Sequence, residues 1–245
     1  MTIDLKDDER IDNLMRNGFK IIQNKKIFCF GMDAVLLCSF CRINPMDKVL
    51  DMCSGNGIIP ILLRARNGYG DYTGLEIQEI NIDLARRSIE LNGIEECVRV
   101  ISGDVKEAGT IFGSACFDAV TVNPPYMKAN HKLVSPNDYK AIARHEILCT
   151  LEDVVSQASK VLKFNGRFYM VHRPSRLVEI FEIMRANHIE PKRIRLVHPH
   201  IDDEANMVVI EGIKDGKPML KIEKPIIVYG ANGEYTEEVR KLYDE

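Results

Sequence analysis

The sequence predicts an α/β fold: a doubly wound, mostly parallel sheet of seven strands, the last antiparallel, with helices on both faces. Three observations carry this. Short apolar runs alternate with helical stripes along most of the 245 residues, the pattern of strands joined by crossover helices. Two of the helical stripes end in Asn-Gly, at Asn67-Gly68 and Asn92-Gly93, where left-handed C-caps form. The last two apolar runs, 193–198 and 207–213, have no helix between them, so they pair as an antiparallel hairpin.

The elements follow in order. Strand one is 48–53, followed by a helix over 57–67. Strand two is 72–77, followed by a helix over 79–92. Strands three and four are 98–103 and 117–122. A helix over 151–162 carries Leu151, Val154, Val155, Ala158, Val161 and Leu162 on one face, a 3.6-residue period. Strand five is 167–172, and Leu177, Ile180, Phe181 and Met184 mark the next helix. Residues 1–47 form a front extension with a small hairpin (19–23 with 27–30) and a helix over 34–41. Residues 48–215 form the sheet domain. Residues 216–245 form a tail packed on the same domain, with a strand at 226–229, an Asn232-Gly233 turn and a helix over 236–243.

Composition narrows the class. The chain is 45% hydrophobic and 28% charged, so disordered and fibrous classes are excluded. The longest stretch free of Lys, Arg, Asp and Glu runs twelve residues, from Met52 to Leu63, short of the ~18 that a membrane span needs. The N-terminus is acidic and polar, unlike a secretory signal. Seven cysteines with no export signal read as reduced thiols in a cytoplasmic protein. Cys38-x-x-Cys41 lacks the second pair a zinc site wants, so both read as small core residues and no metal is expected. The net charge of −3 means that any grip on nucleic acid comes from a local basic face.

Four motifs carry the chemistry. Asp51-Met-Cys-Ser-Gly55-Asn-Gly57 closes strand one and opens a helix. Glycines there let backbone approach a ligand, or simply make a tight strand–helix corner. A dinucleotide fingerprint would have a third glycine where Pro60 stands. Glu76 ends strand two, 21 residues after Gly55; an acid there accepts hydrogen bonds from ribose hydroxyls, or is a surface glutamate beside Gln78 and Glu79. Asp104 ends strand three and either accepts from an adenine amino group or caps the next helix. Asn123-Pro124-Pro125-Tyr126 ends strand four. Two prolines make a rigid corner, and the Asn123 amide oxygen and Pro124 carbonyl form two fixed acceptors for a planar –NH₂ group. Such acceptors strengthen as that nitrogen becomes positive in the transition state. Tyr126 offers a face for stacking a planar group.

With these motifs in place the chain resembles the Rossmann-like class I S-adenosylmethionine-dependent methyltransferases that act on amino groups. More narrowly, it is similar to the bacterial tRNA(Val) adenine-N6 methyltransferases. The narrower likeness rests on Phe28-x-Phe30-x-x-Asp33-Ala-Val-Leu-Leu, Ala143-Arg-His-Glu146, His172-Arg-Pro174, Val197-His-Pro199 and Gly233-Glu-Tyr-Thr236. It departs from the usual turn only at Cys53, where a glycine is common. The resemblance implies S-adenosylmethionine as cofactor and a tRNA substrate, modified at an anticodon-loop adenine. It implies cofactor contacts at Asp51, Cys53, Gly55 and Gly57 from the first turn. Glu76, Ile77, Asp104 and Val105 would follow from strands two and three, with Asn123 from strand four. Asp33 either stands near the methionine end of the cofactor or is a plain N-cap.

Residues 127–147 form a segment of about twenty residues beside the Tyr126 corner. Loops this long beside a site are usually functional. Lys128, Lys132, Lys140 and Arg144 there, and Arg173 after strand five, are candidate phosphate contacts; a solvated lid over the cofactor is the alternative for the segment. Lys192, Arg193 and Arg195 read as a solvated edge at the far end of strand six. Rival activities are DNA adenine methylation, protein glutamine-N5 methylation and a non-catalytic RNA-binding module. The glutamine enzymes carry a helical domain in front, whereas 47 residues with a hairpin pattern precede strand one here.

Overall fold

The computed structural model describes residues 3–27, 29–124, 126 and 149–243. The front begins with an antiparallel ladder of β1 (Glu9–Asn13) and β2 (Lys20–Asn24), with Ile11 opposite Ile22. The hairpin expected from 19–23 and 27–30 is therefore wrong in its partner. Ile22 is fully buried and gives its N–H to the Ser88 hydroxyl at 2.9 Å, so a helix already covers the edge that 27–30 would have needed. Helix α1 (Met32–Phe40) follows, with Gly31 rather than Asp33 as its N-cap.

The central sheet is built from β3 (Lys48–Met52), β4 (Asp71–Glu76), β5 (Val98–Ser102), β6 (Phe117–Val122), β7 (Leu162–His172), β8 (Ile189–His198) and β9 (Met207–Lys214). Their spatial order is β5-β4-β3-β6-β7-β9-β8. Strand β9 runs antiparallel to both β7 and β8, and the other pairings among these seven are parallel. Two further strands, β10 (Lys221–Ile222) and β11 (Ile226–Ile227), lie parallel on β8 and bring the sheet to nine. At two residues each they are too short to show a period in the sequence. The sequence places one strand over 226–229, where β11 spans two residues.

Helices cover both faces. On one side, α1, α2 (Ile58–Asn67) and α3 (Glu79–Asn92) pack with the tail helix over a cluster that includes Val49 and Ala119. On the other, α4 (Ala108–Phe112), α5 (Leu151–Val161) and α6 (Leu177–Ala186) pack over Leu50, Met52, Val120 and Val122. The central strands β3 and β6 alternate between two buried faces, which is why apolar residues fall on both sides of each. A capping box starts α5: Thr150 Oγ1 accepts the Asp153 N–H at 3.1 Å, and Asp153 Oδ2 accepts the Thr150 N–H at 2.9 Å. Helix α7 (Glu237–Tyr243) closes the tail, with Val239 buried in the first cluster.

Strand β8 begins four residues before the expected position 193, because a bulge between Pro191 and Arg193 absorbs the proline. The bulge brings Arg193 opposite Glu211. The solvated edge expected of this cluster fails at Arg193. It is 8% exposed, forms an ion pair with Glu211, donates to the Phe40 carbonyl at 2.6 Å and lies over the Phe40 ring at 3.7 Å.

The chain leaves β3 toward β4 and β5 on one side, and returns to β6 on the other. That reversal opens a crevice at the carboxyl ends of β3 and β6, the place where open α/β sheets bind ligands.

Candidate active site

The first wall of the crevice is the turn after β3. Cys53, Gly55 and Gly57 all have left-handed backbones, with φ of 60°, 55° and 79°. At Gly57 a side chain is excluded twice: by its φ, and because a Cβ would stand 3.0 Å from that of Ala85 on α3. Gly57 thus sets how closely α2 approaches α3. It is not among the residues that line the cavity.

Glu76, at the end of β4, reaches back to this turn. Its Oε2 accepts the Gly55 N–H at 2.8 Å and its Oε1 accepts the Gln78 N–H at 2.9 Å. Burial pushes its carboxyl above the usual range, and the backbone N–H bonds from Gln78 and Gly55 pull it back. The Ile77 N–H and the Asn81 side chain pull it the same way.

The cavity runs from Phe30 and Cys53 past Gly55, Glu76, Ile77 and Gln78 to Asp104, Val105 and Asn123. Seven of the ten expected cofactor residues line it: Cys53, Gly55, Glu76, Ile77, Asp104, Val105 and Asn123. Besides Gly57, Asp51 and Asp33 do not. Asp51 lies beneath the floor, 1% exposed, with Oδ1 accepting the Thr121 hydroxyl at 2.7 Å and Oδ2 unpaired. Burial pushes its carboxyl up to about 7. For Asp104 both alternatives are compatible with the geometry, since it borders the cavity and caps the 3-10 turn at Val105–Glu107 through the Lys106 N–H at 2.9 Å.

The lining fits a particular chemistry. Glu76, Asp104 and Asn123 present acceptors, and Gln78 Oε1 is buried without a partner. Phe30, Leu75, Ile77 and Val105 form apolar walls. Among the described residues the lining carries no lysine or arginine, and its acceptors suit a nucleoside that offers hydroxyl and amino donors. Adenosine carrying an amino-acid arm, as in S-adenosylmethionine, meets that description.

The second wall is the corner after β6. Asn123 faces the cavity and Pro124 is buried behind it. The Tyr126 hydroxyl donates to Asp33 Oδ2 at 2.8 Å, and Asn123 Nδ2 donates to the same oxygen at 3.2 Å. The Tyr126 hydroxyl also lies against Asn123 Oδ1. Asp33 therefore belongs to the Asn123 corner; as α1's second residue it is not the N-cap. Burial, followed by the charge of Asp33, pushes the Tyr126 hydroxyl well above its ordinary range.

His172 and Arg173 complete the corner. The His172 ring meets Tyr126 edge-on at 5.3 Å, and the Arg173 guanidinium sits 5.2 Å above the Tyr126 ring. Arg173 also donates to the Asn206 carbonyl at 2.9 Å. Burial pushes His172 down to about 4, and its Nδ1 accepts the Arg173 N–H at 2.8 Å.

Pro125, Lys128, Lys132, Lys140 and Arg144 lie outside the described residues. Sequence reasoning missed Phe30, Ser54, Gln78, Asn81 and Cys149 as cavity walls. Ser54 and Gln78 adjoin residues already singled out, so proximity to the motifs was the available signal. Cys149 was invisible because it arrives from the start of α5, 4.0 Å from Cys53 between sulfurs. Among the described residues no group of three or more metal-type side chains stands close enough to hold a metal. No described helix is long and apolar enough to cross a membrane.

A crevice at the strand ends, an acid on the second parallel strand and an Asn-Pro-Pro-Tyr corner on the fourth define a Rossmann-like methyltransferase. Residues 43–224 match the methyltransferase domain family, and the chain belongs to that family.

Relatives narrow the likeness. A Porphyromonas gingivalis protein named tRNA1(Val) (adenine(37)-N6)-methyltransferase is 28% identical over 196 residues, covering 72% of this chain and 76% of that one. A Bacteroides fragilis protein of the same name is 22% identical over 227 residues, covering 92% and 94%. Among solved structures, a protein of Agrobacterium tumefaciens described as a predicted O-methyltransferase superposes with a TM-score of 0.70 at 23% identity, covering 86% of this chain and 95% of that one. Geranyl diphosphate C-methyltransferase of Streptomyces coelicolor, bound to S-adenosyl-L-homocysteine, gives 0.57 at 16% identity, covering 74% and 78%. These structures are described as methylating different kinds of atom, so they establish the fold alone.

Proposed function

We propose that this methyltransferase transfers a methyl group from S-adenosylmethionine to the exocyclic N6 of adenine in tRNA, at an anticodon-loop adenine of tRNA-Val, in the cytoplasm. The observation that carries the reading is Asn123 lining the same cavity as the acceptors Glu76 and Asp104. The names of the relatives support the same substrate.

When bound, S-adenosylmethionine supplies an electrophilic methyl group on a sulfonium sulfur. Glu76 would accept from its ribose hydroxyls, and Asp104 from its adenine amino group beside Ile77 and Val105. Asn123 Oδ1 and the Pro124 carbonyl, at the corner completed by Pro125, accept the two N–H donors of the target amine. As the nitrogen takes on positive charge these hydrogen bonds strengthen, which lowers the barrier without a general base. Water takes the proton afterwards. Tyr126 stacks the flipped base. Arg173 and the basic residues Lys128, Lys132, Lys140 and Arg144 hold phosphates. Replacing the latter four by alanine is expected to lower tRNA affinity and flatten its salt dependence, as fewer counterions are released; an unchanged slope in a binding titration would make the segment a lid.

The deciding experiment is incubation with labelled S-adenosylmethionine and, in separate reactions, total tRNA, DNA and protein extract. N6-methyladenosine in digested tRNA is expected. Label in DNA or in glutamine instead would overturn the reading.

A further inference from the structure

We propose that Asp33 is a positioning residue for methyl transfer: it draws the Tyr126 hydroxyl proton to itself and so leaves the Asn123 amide oxygen free for the target amine. This rests on the function proposed above.

The geometry sets two acceptors against one proton. The Tyr126 hydroxyl lies within hydrogen-bond reach of both Asp33 Oδ2 and Asn123 Oδ1. A hydroxyl has one proton to give. A carboxylate accepts more strongly than an amide because the bond is charge-assisted. The proton therefore goes to Asp33, and the lone pairs of Asn123 Oδ1 remain available. Asp33 is suited to hold it: the residue is 9% exposed, and its other oxygen is fixed by the Ala34 N–H at 3.0 Å.

The same carboxylate acts on Asn123 a second time. Asn123 Nδ2 donates to Asp33 Oδ2 at 3.2 Å. This fixes which way the amide faces and polarises it, so that Oδ1 carries more negative charge. Asn123 thus presents to the amine some of the charge of the carboxylate behind it, while the groups that touch the amine stay neutral.

The proposal makes an unusual demand on variants. In Asp33→Asn the remaining oxygen stays on the Ala34 N–H, and the new NH₂ group takes the place of Oδ2, so neither the Tyr126 hydroxyl nor Asn123 Nδ2 finds an acceptor there. The hydroxyl proton must then turn to Asn123 Oδ1 and occupy the acceptor that the amine needs. Removing the hydroxyl should undo the damage.

The test compares wild type, Asp33→Asn, Tyr126→Phe and the double variant in single-turnover methylation of total tRNA. Asp33→Asn is expected to be slower by about ten- to a hundredfold, the range seen when a partner that orients a functional group is lost. Tyr126→Phe gives the reference rate without the hydroxyl, and the double variant should be several-fold faster than Asp33→Asn. Affinity for S-adenosylhomocysteine by calorimetry and the melting midpoint should stay near wild type, whereas a merely structural role would move both. If Asp33→Asn does not fold, Asp33→Ala replaces it with the same expected rescue.

A double variant as slow as the single one, or Asp33→Asn at the wild-type rate, overturns the proposal. A second measurement needs no substrate: the ¹³Cζ resonance of Tyr126, assigned from Tyr126→Phe, should move in Asp33→Asn at neutral pH. An unmoved resonance overturns the hydroxyl bond to Asp33 directly. A wild type that leaves tRNA unmethylated would sink the function, while this resonance would still decide the role of Asp33.

Discussion

Glu76 accepts the Gly55 N–H at 2.8 Å across 21 residues of sequence. The carboxylate that is placed to receive a ribose is thus also the strut that holds the turn after β3. Glu76→Gln is expected to weaken S-adenosylhomocysteine binding by about one to two orders of magnitude, since hydrogen bonds to charged groups contribute about 1.5–3 kcal/mol. Calorimetric titration checks this, and unchanged affinity would remove Glu76 from the ribose site.

Asn123 and Tyr126 should fail in different ways. Asn123→Ala removes an acceptor that strengthens during transfer, so turnover should fall by on the order of 10²–10³ with little change in cofactor affinity. Tyr126→Ala should lose roughly 1–3 kcal/mol of base binding, visible as a raised KM for tRNA. Steady-state kinetics on both variants separates the two effects, and wild-type turnover in Asn123→Ala would refute the acceptor mechanism.

Asp51 links stability to pH. Its folded value of about 7 stands above the ordinary 3.8 because burial disfavours the charged form. The folded state therefore holds more protons than the unfolded chain between those two values, and this contribution to stability is lost as pH rises from about 4 to about 7. Asp51→Asn removes the titration. Urea unfolding at pH 4.5 and pH 8 should show the variant gaining on wild type at the higher pH, by an amount on the order of a few kcal/mol. Parallel pH dependence in the two proteins would contradict this account.

Arg193 and Glu211 are buried partners. Removing one strands the other, which costs about 3–5 kcal/mol. Arg193→Met should therefore lower stability sharply, and Arg193→Met with Glu211→Leu should recover much of the loss. Thermal unfolding of the single and double variants is the measurement; equal losses in both would mean that the cost lies in packing around Phe40 and not in the unpaired charge.

The parts of the molecule legible in the sequence are those determined locally. Helix α3 occupies 79–92 as its stripe and Asn-Gly ending require, and β6 occupies 117–122. Glu76 was readable because only one helix and one strand, α2 and β4, separate it from Gly55. What escaped depends on distant partners. Arg193 looked solvated because its neutralising partner is on another strand, and a one-residue bulge decides which way it points. The partner of β2 was misread because Ser88, 66 residues away, already takes the Ile22 N–H. Asp33 was ambiguous because Asn123 and Tyr126 meet it from about ninety residues downstream.

Lys221–Ile222 and Ile226–Ile227 lie along the outer side of β8. They act as a selvedge. An open sheet edge is a template on which another chain can crystallise its own strand, and here the protein's own tail has already filled that template. A second copy cannot pair with β8 at Arg193–Ile194 or Val197–His198 unless the tail is first peeled away.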